Sequence, residues 1–225
     1  MSGAEKLQDK NEQSLNNKAA VDRRPHFAAL GALLAVAGLH EAIPPSLAFH
    51  PRWVLFGLVS LLLVPTAIAH AQGKHKLNRI LSFTLSSVVA AAMIRSLIVL
   101  IRAIPAHVET PEALLRSAAA LWVTNILVFA VWYYRLDAGG PDERARHPGH
   151  DSGAFLFPQM TRSSAHSNWE PNFVDYLFLS FNASTALSPT DTAVLSRWAK
   201  VLMMLQAMIS LCVVVLLAAR AVNIL

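Results

Sequence analysis

The feature that most limits how this chain can fold is its last apolar run. From Ala199 to Val222 almost every residue is apolar, and only Lys200 and Arg220 carry charge. At about 1.5 Å per residue, a helix of this length covers a hydrocarbon core of about 30 Å. Backbone in hydrocarbon must satisfy its own N–H and C=O groups, which favours a helix over any open strand. Shorter runs of the same kind recur upstream. The expected fold is therefore all-α, a polytopic transmembrane helical bundle with five or six membrane segments.

Composition agrees. Of the 225 residues 54% are hydrophobic and 15% charged, where soluble domains carry about 25% charged residues. The net charge of +5 is distributed beside apolar runs rather than along one patch. That pattern suits membrane orientation and argues against nucleic acid as a partner. The single cysteine, Cys212, lies within the last run and has no second thiol to pair with. Residues 1–26 are polar and of mixed charge, and are expected to form a disordered cytoplasmic tail without a secretory signal.

Residues 27–136 read as four membrane helices. The first runs from Phe27 to Ile43, with a small-residue face at Ala28, Gly31, Ala32, Ala35 and Gly38, and Pro44-Pro45 stops it. The second runs from Trp53 to His70, with an expected kink at Pro65. The third, Ile80 to Ile101, carries Arg95 on the same face as Ser87 and Ala91. The fourth, Ala113 to Tyr134, ends in an interfacial Trp132-Tyr133-Tyr134-Arg135 cluster. Residues 137–170 form the one long polar connection, opened by Gly139-Gly140-Pro141. Within 171–225, a short polar segment from Phe173 to Leu187 precedes the long C-terminal helix. Fifteen residues cover only about 22 Å, so this segment either crosses or dips and returns. The apolar run Val174–Phe181 favours crossing, and Arg197 with Lys200 favours a return; the sequence tips towards six spans.

Lysine and arginine set the orientation. Lys18, Arg23 and Arg24, then Lys74, Lys76 and Arg79, then Arg135, Arg144, Arg146 and Arg162 fall on alternate connections. This places the N-terminus and the 137–170 loop in the cytoplasm.

Several polar residues inside apolar runs are candidate site residues. Arg95 is costly in hydrocarbon, on the order of 3 kcal/mol, and is expected either to snorkel or to pair with Asp191 or Glu41. Asp175, Asn182, Ser184 and Thr185 make the short segment unusually polar, and Asp175 and Asn182 share a helical face. Gln206 and Ser210 line up with Met203 on the last helix, and Asn125 lies within the fourth. Interhelical hydrogen bonding is the plain reading of these groups, and a substrate or ion path the sharper one. Ser188-Pro189-Thr190-Asp191 reads as a helix start, with Ser188 as cap, Pro189 in the first position and Asp191 completing a capping box. His147, His150, Asp151 and His166 are too loosely spaced to indicate a metal. No nucleophile–base set, phosphate loop or His-Glu-x-x-His element is present, so neither an enzyme nor a cofactor is indicated.

The outline of Phe173 to Val222, a short segment, a polar turn and a long helix, resembles the pore-loop half of tetrameric cation channels. The potassium branch carries a Gly-Tyr-Gly-Asp filter, and here no glycine occurs from Phe173 to Leu225, so potassium selectivity is not implied. A broader likeness covers Phe27 to Leu225 and is carried by Trp132-Tyr133-Tyr134-Arg135-Leu136-Asp137 with Gly139-Gly140-Pro141, by Phe157-Pro158-Gln159-Met160, and by Asp175-Tyr176 through Asn223. In these the chain resembles a bacterial family of uncharacterised multi-span integral membrane proteins. That resemblance implies a small helical protein of the bacterial inner membrane. The functional expectation is a small-solute or ion channel or transporter, with a structural or regulatory subunit lacking any path as the alternative. The lipid bilayer is the expected partner, and a homo-oligomer stays open.

Overall fold

In the computed structural model, residue 29 and residues 31–40, 53–72, 75–106, 110–146, 153–161, 169–185 and 191–222 are described. The chain is mostly helical. In order come α1 (Gly31–His40), α2 (Trp53–Ala71), α3 (His75–Ala106), α4 (Pro111–Leu136), the short α5 (Pro141–Arg146), α6 (Phe173–Thr185) and α7 (Arg197–Val222). Two short strands, β1 (Phe155–Leu156) and β2 (Ala193–Val194), pair antiparallel with Phe155 opposite Val194. The long apolar elements are Leu77–Ala103, Pro111–Gly139 and Arg197–Ala219, each long and apolar enough to cross a membrane. Gly31–His40 and Phe56–Thr66 are shorter apolar helices.

Helix α4 is the hub. The Thr110 hydroxyl caps it by accepting from Ala113 N at 3.3 Å, and Pro111 follows in the first turn, where its missing N–H costs nothing. Buried residues occur on nearly every side of the helix, among them Leu121, Asn125, Val128, Val131 and Tyr134. A helix buried all round needs neighbours all round. Here α3 lies against one flank and α6 and α7 against another, while α2 packs on α3. Leu33, Val36 and Ala37 of α1 join the same core. The outer faces remain apolar: Leu61 and Val64 on α2, Ile80 and Ile94 on α3, Val174 and Phe178 on α6, Met208 and Leu211 on α7 are all exposed. These exposed apolar side chains accord with a membrane-associated protein that has three helices long and apolar enough to cross a bilayer.

Two expectations change. Helix α3 starts at His75 rather than Ile80, so Lys76 and Arg79 of the basic link lie in its first turns. The expected helix start at Ser188–Asp191 does not hold for Asp191, which sits exposed in a bend before β2. Ser188 lies outside the described residues. Helix α7 begins at Arg197, where Ser196 Oγ accepts from Ala199 N at 3.3 Å. The reason is competition for backbone groups, since Ala193 and Val194 pair with β1 and Leu195 N donates to Ala154 O at 2.8 Å.

Ring contacts fix the relative direction of the last helices. Tyr134 at the end of α4 meets Phe173 at the start of α6, with ring centroids 5.8 Å apart. Phe155 in β1 meets Trp198 at the start of α7, 6.2 Å away. Helices α6 and α7 therefore start at the same end of α4 and run parallel to each other along it. Ala193 and Val194, just before α7, lie at that same end, paired with β1.

Candidate functional site

Two tiers of side chains lie between α4, α6 and α7. The deeper one is polar and uncharged. Gln206 is fully buried, and its Nε2 lies 2.8 Å from Ser180 O, 2.7 Å from Ser180 Oγ and 2.7 Å from Ser184 Oγ. Its Oε1 accepts from the Tyr133 hydroxyl. Ser180 Oγ donates to Ile126 O at 2.7 Å, and Ser210 Oγ donates to Ser184 O. Asn125, also fully buried, donates from Nδ2 to Gln206 O at 3.4 Å and to Ser184 Oγ at 3.5 Å. Three helices thus exchange hydrogen bonds where apolar packing alone would give no specificity, as is common between helices in an apolar medium.

Depth follows from helix rise. Gln206 lies nine residues into α7, Ser184 eleven into α6 and Asn125 twelve before Asp137. These distances correspond to roughly 14–18 Å from the shared end. The cluster therefore sits about half-way along α4. Helix α6 ends at the same level, because its thirteen residues rise only about 20 Å.

The upper tier is an aromatic clasp around two buried charged groups. Asp137 ends α4; its Oδ2 accepts from the Tyr176 hydroxyl at 2.6 Å and its Oδ1 from Ala154 N at 2.6 Å. Arg144 donates from Nη1 to Asp137 O at 2.8 Å and to Tyr134 O at 3.0 Å. Its guanidinium carbon lies 5.0 Å from the Tyr134 ring centre and 5.2 Å from that of Tyr176, within range of cation–π attraction. The turn that folds Arg144 back needs left-handed backbone at Ala138, Gly139 and Gly140, with φ of 47°, 80° and 101°. A Cβ on Gly140 would lie 3.0 Å from Arg135 O, so glycine is required there. Phe155 roofs the deeper tier. Its ring meets Tyr133 of α4 at 5.3 Å, Tyr176 of α6 at 6.2 Å and Trp198 of α7 at 6.2 Å.

The sequence candidates separate against this geometry. Gln206, Ser184, Ser210 and Asn125 come together in the polar tier. Asp175 does not join them. Its Oδ2 accepts from Asn172 N at 2.7 Å while Asn172 Oδ1 accepts from Val174 N at 2.8 Å, so the two form a capping box at the start of α6. Asn182 and Thr185 are half-buried beside the cluster, and Thr185 Oγ1 turns back to Asn182 O at 3.1 Å. Arg95 is exposed on α3 with Ala91, Ile94 and Ile98, and α3 packs on α2 and α4. Asp191 is exposed in its bend. Glu41, His147, His150, Asp151 and His166 lie outside the described residues. Sequence reasoning passed over Tyr133, Ser180, Asp137, Arg144 and Tyr176. The available signal was Tyr176-x3-Ser180-x3-Ser184, a polar-capable stripe at four-residue spacing on one helix face.

No family model matches the chain, and neither the curated proteins nor the solved structures contain a match.

Proposed function

We propose that the chain is an integral membrane protein in which α1, α2, α3, α4 and α7 cross the bilayer and α6 dips in and returns. Its N-terminus and the 137–170 loop lie in the cytoplasm of a bacterial cell, at the inner membrane. Its activity is to conduct a small solute or ion along the α4–α6–α7 interface, and the clasped arrangement is the closed state. The observation that carries this reading is the polar tier itself. Six uncharged polar side chains, Asn125, Tyr133, Ser180, Ser184, Gln206 and Ser210, converge at mid-depth beside a helix that stops there. Broken helices meeting near the bilayer midplane are a recurrent way to build a transport site, and buried intramembrane polar groups are costly without a role. The basic residues support the orientation, because Arg135, Arg144, Arg197 and Lys200 all belong to the end where α6 and α7 begin.

One observation favours the alternative, a structural or regulatory membrane subunit without a path. The polar tier is largely self-satisfied, and such a network also serves as a lock between helices. Reconstitution into liposomes separates the two. Solute or ion flux above that of protein-free vesicles supports the conduit, and equal rates across a panel of probes support the subunit.

A further inference from the structure

One buried acceptor of the polar tier has no donor among the described residues. Gln206 Oε1 is used by Tyr133, and Gln206 Nε2 by the two serines of α6. Ser180 and Ser210 spend their protons on main-chain carbonyls, while Ser184 Oγ accepts from both amides. Within the cluster, the one buried side-chain atom with no hydrogen-bond partner is Asn125 Oδ1, on a residue with no exposed surface. The amide orientation is assigned from its surroundings. Asn125 Nδ2 faces the main-chain oxygen of Gln206, and a flipped amide would set two carbonyl oxygens against each other. A buried acceptor left without a donor is unfavourable by about 1–3 kcal/mol, so the site is complementary to a guest that donates.

Charge narrows the class of guest. None of the six side chains is ionised at neutral pH. The buried charged groups Asp137 and Arg144 belong to the clasp and are engaged in the bonds described above. Replacing the water shell of a cation takes several converging oxygens, and here a single free acceptor is available. A desolvated ion would be strongly disfavoured, whereas a neutral donor would not. The Phe155 ring packs against Tyr133 of α4, Tyr176 of α6 and Trp198 of α7, so it joins all three helices at the end from which α6 and α7 start. Residue 154, next to it, is held by Asp137 Oδ1 on its N–H and by Leu195 N on its carbonyl.

Resting on the conduit reading, we infer that Asn125 is the recognition residue for a small uncharged hydrogen-bond donor, admitted when Phe155 lifts from the tyrosine–tryptophan cage. The test uses the full chain in proteoliposomes, with urea as the uncharged donor and K⁺ as the charged control. Urea uptake, read by stopped-flow light scattering, should exceed that of protein-free vesicles and rise further in Phe155→Ala. The increment should fall about tenfold in Asn125→Leu, the scale of one lost hydrogen bond to a buried group. Asn125→Ser, which keeps polarity but loses reach, gives the same fall if the leucine variant does not fold. Urea uptake insensitive to both Asn125 variants overturns the assignment of this residue. K⁺ flux above urea flux overturns the uncharged class and leaves the conduit standing. No flux of either probe, in wild type or in Phe155→Ala, overturns the conduit reading and this inference with it.

Discussion

The Tyr133 hydroxyl donates to Gln206 Oε1, joining α4 to α7 directly beneath the Phe155 ring. Both residues are fully buried. Tyr133→Phe therefore leaves a buried acceptor unmet and should cost about 1–3 kcal/mol. Gln206→Leu removes that acceptor together with the donor shared by Ser180 and Ser184, and should cost more. In the double variant the penalty for Tyr133→Phe largely disappears, since its partner is already gone. Unfolding followed in detergent by intrinsic fluorescence should show this sub-additivity; strictly additive losses would mean that the two side chains do not act as a pair.

The Asn172–Asp175 box caps the start of α6. Asp175→Ala removes the acceptor for Asn172 N and should lower stability by about 1 kcal/mol. Solute flux per folded molecule should be unchanged. A large loss of flux with intact stability would return Asp175 to the list of residues lining a path.

How far the site could be read from sequence depended on which helical stripe was followed. Gln206, Ser210, Ser184 and Asn125 stood out because polar groups within apolar runs are rare, and that signal survives without knowing any partner. Asp175 and Asn182 share a face by spacing, yet α6 buries a different one, through Tyr176, Ser180 and Ser184. Periodicity finds faces, and only tertiary packing selects among them. Tyr133 read as an interfacial aromatic, whose hydroxyl normally reaches water, and Tyr176 was not singled out; here their hydroxyls reach Gln206 and Asp137. The helix cores were legible from apolar length. The start of α7 was not, because the pairing of β2 with β1 is a contact across some forty residues that no local pattern announces.

The turn after α4 offers a test of backbone strain. Ala138 carries a side chain at φ 47° while Gly140 sits at φ 101° with Arg135 O where its Cβ would be. Ala138→Gly should be neutral or stabilising by up to about 1 kcal/mol, because it relieves left-handed strain. Gly140→Ala should destabilise by about 1–3 kcal/mol and loosen the Arg144 contacts to Tyr134 O and Asp137 O. Melting temperatures of the two variants should therefore move in opposite senses or, at the least, differ clearly. Equal destabilisation would argue against this turn.

Arg95 and Asp191 are expected to be energetically independent. The Phe83–Trp132 contact, with ring centroids 6.0 Å apart, ties the early part of α3 to the end of α4, and Arg79 lies over Phe83. Arg95 comes sixteen residues after Arg79, about 24 Å further along α3 and away from that end. Asp191 precedes β2, whose partner strand adjoins Asp137 through Ala154, so it belongs to the end that Arg95 has left behind. At such separation an attraction between two exposed charges is screened to a fraction of a kcal/mol, since the Debye length is about 8 Å in physiological salt. Arg95→Ala and Asp191→Asn should then be additive within about 0.5 kcal/mol in a double-mutant cycle. The same geometry makes a statement about sides. In a Cys212→Ser background, Asp191→Cys and Asn172→Cys should react with an impermeant thiol reagent from the same face of the membrane, because α6 starts and the chain returns at one end. Labelling from opposite faces, or a coupling of Arg95 to Asp191 above 1 kcal/mol, would mean that α6 crosses the bilayer instead of dipping into it.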